Sequence, residues 1–294
     1  MSREQREALD AAIRSAPSDP HATVAEQRAA FTERQTRPVP DDVTTRETTL
    51  GGRPALDITI SQPTATLLYL HGGGYVVGSP QTNAALTAEL ARRVGARAVS
   101  LDYRLAPEHP FPAAVKDAAA AYRQLLDDGV DPENLVLAGD SAGGGLVVAT
   151  LLGARDAGLP QPAAAAVFSP WVDMTLAGES MRGKHGIDPL FTRDRLNAYA
   201  EHYLGDQDRA AKLASPVFAD LTGLAPLLVQ VGSHEILLDD AVRLAARAGA
   251  DDVDVTLEVW PGVPHVFQNR AGTGMLGEAD AALDHAGRFL AGHL

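Results

Sequence analysis

Short apolar runs alternate with amphipathic segments from Ala65 to the C-terminus. The runs predict buried strands, because they are short and bounded by glycine, proline and polar residues. The predicted strands are 65–70, 96–101, 135–138, 163–168, 226–231 and 253–260, and the predicted helices are 82–94, 112–128, 144–154, 236–248 and 279–291. Strands that alternate with helices predict an α/β fold with a mostly parallel central sheet, flanked by helices on both faces.

The N-terminal part follows a different pattern. Apolar residues at helical spacing predict two surface helices, and two alternating segments joined by Gly51-Gly52 predict a β-hairpin. The helices are predicted over 4–15 and 21–36, separated by the proline-containing residues 17–20, and the strands over 43–50 and 55–60.

One long segment, 173–222, interrupts the alternation, because it contains no strand-like run and only one clear helical pattern, 193–203. An insertion between two strands of an open sheet falls near the carboxyl ends of the strands, where ligands bind. We therefore expect N-terminal cap helices over 1–40, a catalytic domain over 41–172 and 223–294, and a cap insertion over 173–222. The alternative is a surface insertion without a role in binding.

Composition and charge limit the possible partners. The 294 residues carry 25 basic and 38 acidic side chains, a formal net charge of −13, which argues against nucleic acid or an anionic membrane as a partner. No cysteine is present, which excludes disulfides and thiolate catalysis. The charged N-terminus does not resemble a secretory signal, and no apolar stretch reaches the roughly 18 residues that span a bilayer. We expect a cytoplasmic protein.

The candidate nucleophile is Ser141, in Gly139-Asp-Ser-Ala-Gly143. The motif lies between the predicted strand 135–138 and the predicted helix 144–154, which is the context of a G-x-S-x-G nucleophile turn. Side chains two positions before or after the serine would collide with the neighbouring strand and helix, so glycine is needed there. An ordinary turn between a strand and a helix is the alternative interpretation.

A serine nucleophile also needs a base and an acid that orients the base. In the hydrolase order the acid follows the next-to-last strand and the histidine follows the last strand. His265 follows the strand ending at Trp260, in a rigid Pro-Gly-Val-Pro loop. The candidate acids are Glu235, Asp239 and Asp240, of which Glu235 lies in the loop and the other two lie about one turn into the next helix.

A glycine loop, His71-Gly-Gly-Gly-Tyr75, follows the predicted strand 65–70. Glycines let the backbone approach a substrate and direct N–H groups at an oxyanion, so this loop and Ala142 are candidates for an oxyanion hole. The dinucleotide pattern and the P-loop lysine are both absent from the sequence. The histidines and carboxylates show no metal-ligand spacing, so no metal site is expected.

Four motifs occur in one order: His71-Gly-Gly-Gly-Tyr-Val-Val-Gly-Ser79, Asp102-Tyr-Arg-Leu-Ala-Pro-Glu108, Gly139-Asp-Ser-Ala-Gly143 and Pro264-His-Val-Phe267. Over roughly residues 40–294 the chain resembles the bacterial hormone-sensitive-lipase-like esterases, a branch of the α/β-hydrolase fold. The resemblance implies that Ser141 is the nucleophile and His265 the base. It places the acid three residues after the glycine that ends the preceding strand, which is Glu235 here, although many relatives carry aspartate.

The same resemblance implies further roles. The N–H groups of Gly73, Gly74 and Ala142 would form the oxyanion hole, and His71 would support the glycine loop. Asp102 and Arg104 would form a buried charge pair that braces this loop. The N-terminal helices and the 173–222 insertion would correspond to the family's cap.

The sequence therefore predicts a carboxylesterase that cleaves a small-molecule ester through an acyl-enzyme with a Ser141–His265–Glu235 triad and without a cofactor. The resemblance implies short acyl chains and a possible homodimer through the last strand. One alternative is an N-acetyl or amide hydrolase with the same triad. A second is a ligand-binding receptor on a hydrolase fold, which the presence of both Ser141 and His265 disfavours.

Overall fold

A computed structural model describes residues 3–16 and 22–294. Within these residues the fold is built on one eight-stranded sheet with the order β1-β2-β4-β3-β5-β6-β7-β8. The strands are β1 (Thr44–Leu50), β2 (Arg53–Thr59), β3 (Ala65–Leu70), β4 (Ala96–Leu101), β5 (Leu135–Asp140), β6 (Ala164–Phe168), β7 (Leu227–Gly232) and β8 (Val255–Trp260). The pairs β1–β2 and β2–β4 are antiparallel, and every other neighbouring pair is parallel.

The helices cover both faces of this sheet. They are α1 (Arg3–Arg14), α2 (Val24–Gln35), α3 (Ala84–Val94), α4 (Ala113–Asp127), α5 (Ala142–Asp156), α6 (Ser180–Gly183), α7 (Arg193–Leu204), α8 (Leu238–Ala250) and α9 (Gly277–Ala291). Successive side chains of a strand point to opposite faces, so Leu68 packs in the core under α4, α5 and α8, whereas Leu67 packs in the core under α3 and α9. The predicted α/β architecture is confirmed.

Most predicted elements occur within a few residues of their expected bounds. The hairpin joins β1 and β2 at Gly51, and the helices predicted over 82–94 and 236–248 begin two residues later, at Ala84 and Leu238. The second helix, predicted from residue 21, is described from Val24 onward. The proline-containing break at 17–20 and His21 lie outside the described residues. Between 173 and 222 the structure contains α6 and α7 but no strand, as the pattern predicts.

The two N-terminal helices dock onto the loops at the carboxyl ends of the strands. In α2, Arg28 donates to the carbonyls of Val76 and Ala106 and forms an ion pair with Glu108 at 2.7 Å. In α1, Arg14 donates to the carbonyl of Ile187, which lies in the 173–222 segment. The helix α2 is thus tied to the loops that follow β3 and β4, and α1 is tied to the 173–222 segment. None of the helices in the described ranges combines the length and the apolar run that a bilayer crossing requires.

Candidate active site

Ser141 lies at the junction of β5 and α5, with a backbone φ of 53° and ψ of −122°. This left-handed φ is unfavourable for a residue with a side chain and is typical of strained functional turns. The flanking glycines allow the turn: a Cβ at Gly143 would lie 2.0 Å from the carbonyl oxygen of Leu70, and one at Gly139 would lie 2.5 Å from that of Gly143. The local packing therefore requires glycine at both positions.

His265 and Glu235 form a buried pair, with 2.7 Å between Nδ1 and Oε2. Because a carboxylate only accepts, Nδ1–H is the donor, and Nε2 of the neutral ring is left without its proton. Burial lowers the pKa of His265, but Glu235, together with Asp188 and Asp140, outweighs burial and raises the pKa above its usual value of 6.5. A cationic imidazole is therefore stabilised in this position.

Ser169 organises this pair, and the sequence analysis did not identify it. Its Oγ donates to Glu235 Oε1 at 2.7 Å and accepts from the backbone N–H of Val266 at 3.0 Å. A single hydroxyl thus links the carboxylate to the residue after His265. Gly232 N–H donates to the same carboxylate oxygen at 2.7 Å. The sequence feature that could have identified Ser169 is its position: it is a polar residue directly after β6, at the carboxyl-end edge of the sheet where ligand sites form.

The other two candidate acids contact the 173–222 segment and its entry. Asp239 Oδ2 accepts from the N–H of Ser180 at 2.9 Å. Asp240 Oδ2 accepts from the N–H groups of Val172 and Asp173 at 3.0 and 2.9 Å. Of the three candidates, Glu235 is the one whose carboxylate bonds to His265.

A fourth carboxylate, Asp188, connects the inserted segment to the loop that carries Glu235. Its Oδ2 accepts from the N–H of Ile236 at 2.9 Å, and its Oδ1 accepts from the N–H groups of Leu190 and Phe191. Asp188 is 5% exposed, and burial raises its pKa, with the three N–H groups and His265 acting in the opposite direction. The segment therefore docks directly beside the acid of the pair.

The glycine loop passes next to Ser141. Gly73 and Gly74 have positive φ values of 124° and 61°, which glycine tolerates. Within residues 3–16 and 22–294, the backbone N–H groups of Gly73, Gly74 and Ala142 donate to no protein acceptor, so they are available to a ligand. A Cβ at Gly74 would lie 2.6 Å from Cδ2 of Tyr199, so the ring of Tyr199, from the 173–222 segment, rests against the loop.

A buried network of hydrogen bonds around Asp140 fixes the start of the glycine loop. Asp140 Oδ1 accepts from Tyr69 Oη at 2.8 Å, Asn83 Nδ2 at 2.7 Å and Gly72 N at 3.0 Å. Burial raises the pKa of Asp140 to about 6, although the hydrogen bond from Tyr69 and the charge of His265 oppose the rise. The residue before Ser141 therefore fixes the start of the glycine loop.

His71 is fully buried, and burial lowers its pKa to about 4, so it is neutral at physiological pH. Its Nδ1–H donates to the carbonyl of Gly72 at 2.8 Å, and its ring stacks on Tyr103 with centroids 4.2 Å apart. Tyr103 Oη donates to the carbonyl of His71 at 2.6 Å. These contacts join His71 to Gly72 and to Tyr103, and its role as a support of the glycine loop stays a prediction.

The expected buried pair of Asp102 and Arg104 does not form. Arg104 is half-buried and pairs with Asp117 of α4, at 2.7 Å between Nη2 and Oδ1. Asp117 is almost fully buried and faces the end of β4, so it takes the guanidinium. Burial raises the pKa of Asp102, and the positive charge acting on it is that of Arg53. Within this motif, Tyr103 is the residue that braces the glycine loop.

Three side chains of the 173–222 segment form a roof over the site. The ring of Phe191 meets the imidazole of His265 edge-on, with centroids 5.0 Å apart. Tyr199 lies against Gly74, and the guanidinium of Arg195 lies 5.4 Å from the Phe191 ring centroid and 6.0 Å from that of Tyr199. We call Phe191, Arg195 and Tyr199 the roof residues.

Comparison with known proteins identifies the family of this chain. Residues 67–269 match the family described as alpha/beta hydrolase fold. An acetyl-hydrolase of Streptomyces hygroscopicus is 48% identical over 225 residues, which cover 76% of this chain and 75% of that protein. The crystal structure of an esterase from the bacterial hormone-sensitive lipase family superposes with a TM-score of 0.95 at 44% identity and covers 100% of this chain and 99% of that one.

The esterase EstE5, in a crystal soaked with p-nitrophenyl butyrate, superposes with a TM-score of 0.95 at 41% identity over 99% of both chains. The family match spans more than half of the chain, and the structural agreement extends over its whole length. The chain therefore belongs to the α/β-hydrolase family and, within it, to the hormone-sensitive-lipase-like esterases.

Proposed function

We propose that this chain hydrolyses short-chain carboxylic esters through an acyl-enzyme formed on Ser141. The observation that carries the proposal is the buried hydrogen bond of 2.7 Å between His265 Nδ1 and Glu235 Oε2. It fixes the tautomer in which Nε2 has the free electron pair that a general base needs. The raised pKa of His265 supports the same role, because the imidazolium that forms during catalysis is stabilised.

The reaction has two halves. In the first, Nε2 of His265 takes the proton of Ser141 Oγ as this oxygen attacks the ester carbonyl, and the same proton then leaves with the alcohol as the C–O bond breaks. In the second, water attacks the acyl-enzyme and gives its proton to Nε2, which returns a proton to Ser141 as the acid departs. No cofactor takes part in this sequence.

The tetrahedral oxyanion would be held by the N–H groups of Gly73, Gly74 and Ala142. These groups lack protein acceptors in the described part of the chain, and the last of them lies at the N-terminus of α5, where the helix dipole favours an anion. Each donor of this kind contributes about 3 kcal/mol to the transition state.

We further propose that α1, α2 and residues 173–222 act as a cap that shapes the acyl and alcohol pockets, while 41–172 and 223–294 form the catalytic domain. The roof residues support this division, because they come from 173–222 and two of them make contacts in the site: Phe191 touches His265, and Tyr199 touches Gly74. The preference for short acyl chains is supported by the likeness to EstE5, whose crystal was soaked with p-nitrophenyl butyrate. Location in the cytoplasm stays a prediction of the sequence.

We also propose a homodimer through β8. This strand is at the end of the sheet order, and its residues Leu257 and Val259 are 37% and 45% exposed. An exposed apolar edge strand is suited to pairing with a second copy. Light scattering after size-exclusion chromatography tests this: a dimer that Val259→Lys converts to monomer supports it, and a wild-type monomer at micromolar concentration contradicts it.

A second candidate function is hydrolysis of an acetyl amide. The 48% identity to a protein named acetyl-hydrolase supports this candidate, because that name gives the acetyl group and leaves open whether the cleaved bond is an ester or an amide. The same triad and oxyanion hole serve both reactions, and the pocket for the leaving group decides between them.

The test is hydrolysis of p-nitrophenyl esters from acetate to palmitate, with Ser141→Ala as the control variant. We expect turnover that peaks at short acyl chains and is lost in Ser141→Ala. A panel of acetylated amines measured in parallel separates the amide alternative. Full ester turnover by Ser141→Ala contradicts the nucleophile assignment. Hydrolysis of acetylated amines without hydrolysis of any ester overturns the ester proposal.

A further inference from the structure

The roof residues lie in one row above the site. Arg195 and Tyr199 are four residues apart on α7 and therefore share a helix face. Phe191 precedes the N-cap residue Thr192, and its ring turns toward the same face, because the Arg195 guanidinium lies 5.4 Å from its centroid. Arg195 is thus the middle member of an aromatic–cation–aromatic row.

The two ends of the row contact opposite sides of the reaction centre. Phe191 meets His265, and Tyr199 meets Gly74 of the proposed oxyanion hole. The guanidinium lies within 6.0 Å of both ring centroids, so it is held by the two side chains that contact the imidazole and the glycine loop. In an acyl-enzyme mechanism, the acyl or alcohol part of the substrate enters between the imidazole and the glycine loop.

The charge of Arg195 has no carboxylate partner within residues 3–16 and 22–294. Its polar contact is a 3.3 Å hydrogen bond from Nη1 to the carbonyl of Leu190, and its other contacts are the two rings. The chain has more acidic than basic residues, and other half-buried arginines, such as Arg28 and Arg104, form ion pairs with carboxylates. A guanidinium offers five N–H donors in a planar fork, so Arg195 retains donors for an anionic group.

We propose that Arg195 binds a carboxylate-type oxyanion group carried by the substrate, so that the preferred esters are anionic in their acyl or alcohol part. This inference rests on the ester hydrolysis proposed above. A guanidinium and a carboxylate form paired charge-assisted hydrogen bonds, which are stronger than neutral ones. The nearby carboxylates of Glu235, Asp188 and Asp140, which act on His265, would repel an anionic substrate, and the positive charge of Arg195 would offset part of this repulsion.

The experiment compares matched pairs of esters. In the acyl arm, p-nitrophenyl butyrate is compared with mono-p-nitrophenyl succinate, which replaces the terminal methyl group with a carboxylate. In the alcohol arm, methyl 4-acetoxybenzoate is compared with 4-acetoxybenzoate. The readout is the ratio of kcat/KM for the anionic ester to kcat/KM for the neutral ester, measured at low and high ionic strength.

We expect Arg195→Gln to lower this ratio by about 10- to 100-fold in at least one arm, mainly through KM, because a contact made before the reaction contributes to substrate binding. Arg195→Lys keeps the charge without the fork and should fall between wild type and Arg195→Gln. Arg193→Gln is the matched control: Arg193 is an exposed arginine on the same helix, and its loss should leave the ratio unchanged. High salt should reduce the wild-type ratio.

The outcomes separate this inference from the one on which it rests. An equal ratio in wild type and Arg195→Gln in both arms overturns the role of Arg195, even if every neutral ester is hydrolysed. Absence of turnover of both the neutral and the anionic esters by the wild type contradicts the esterase proposal itself. A drop in one arm alone supports the inference and shows which half of the substrate carries the anion.

Discussion

Glu235→Gln is the substitution that most directly tests the proposed triad. It keeps the size of the side chain but removes the charge whose Oε2 lies 2.7 Å from His265 Nδ1. Two unit charges about 4 Å apart interact by roughly 4 kcal/mol at the effective dielectric constant of about 20 that suits partly buried sites. Because the imidazole, at a pH above its pKa, becomes charged only during the reaction, most of this energy is lost from catalysis, and kcat/KM should fall by about 10³-fold.

The pH dependence gives a second, independent readout. The base acts in its neutral form, so kcat/KM rises with pH through the pKa of His265, which the structure places above 6.5. Glu235 is the first of the groups that raise this pKa against burial. In Glu235→Gln the pKa should fall, and the acid limb of the profile should move to lower pH while the plateau drops. Initial rates with p-nitrophenyl butyrate between pH 5 and 9 measure both effects.

Asp239→Asn is the matched control for this experiment. Asp239 is one of the three candidate acids and lies four residues after Glu235. Its carboxylate, however, binds the N–H of Ser180, and it is not among the groups that raise the pKa of His265. We expect a lower temperature of unfolding, with kcat/KM within a few-fold of wild type and an unmoved acid limb. A nearly harmless Glu235→Gln beside a crippling Asp239→Asn would refute the assignment of the acid and the electrostatic reasoning together.

Three further substitutions test the surroundings of the triad. Ser169→Ala removes the hydroxyl that bonds to Glu235, and it should lower kcat/KM about tenfold, the equivalent of one hydrogen bond, without moving the acid limb; a shifted limb contradicts this. Asp188→Asn removes a charge that raises the pKa of His265, so the acid limb should move to lower pH; a profile equal to that of wild type counts against the coupling. Gly143→Ala places a Cβ 2.0 Å from a backbone carbonyl, so we expect loss of both activity and thermal stability, and retention of both would show that the turn can relax.

The fold could be predicted because its determinants are local. The strands are apolar runs and the helices are amphipathic, so periodicity locates both, and the Gly51-Gly52 turn identifies the antiparallel hairpin. The strand order could not be read in the same way. The pairing of β3 with β5, which places the glycine loop beside Ser141, depends on contacts between distant parts of the chain.

The residues of the candidate site also differ in whether local sequence or contacts between distant parts of the chain identify them. Ser141, His265 and the glycine loop stand in short motifs with a fixed position relative to a strand, and the sequence therefore identifies them. Ser169 stands in no motif, and its contacts join residues 66 and 97 positions apart. The partner of Arg104 was predicted wrongly: the family resemblance implied Asp102, whereas burial of Asp117 on the facing helix decides the pairing.

The acidic residues near the start of α8 show why composition alone could not assign a function to each carboxylate. Asp239 and Asp240 bind N–H groups at the entry and in the first helix of the 173–222 segment, and Asp188 of that segment binds the N–H of Ile236, next to Glu235. Carboxylates near the start of α8 therefore bind the backbone of the 173–222 segment, and a carboxylate of that segment binds the backbone of the loop that carries Glu235. Because Asp188 also acts on the charge of His265, a displacement of the segment would change both the position of Glu235 and the basicity of the imidazole. The proposed cap is thus coupled to the proton transfer as well as to the shape of the pocket.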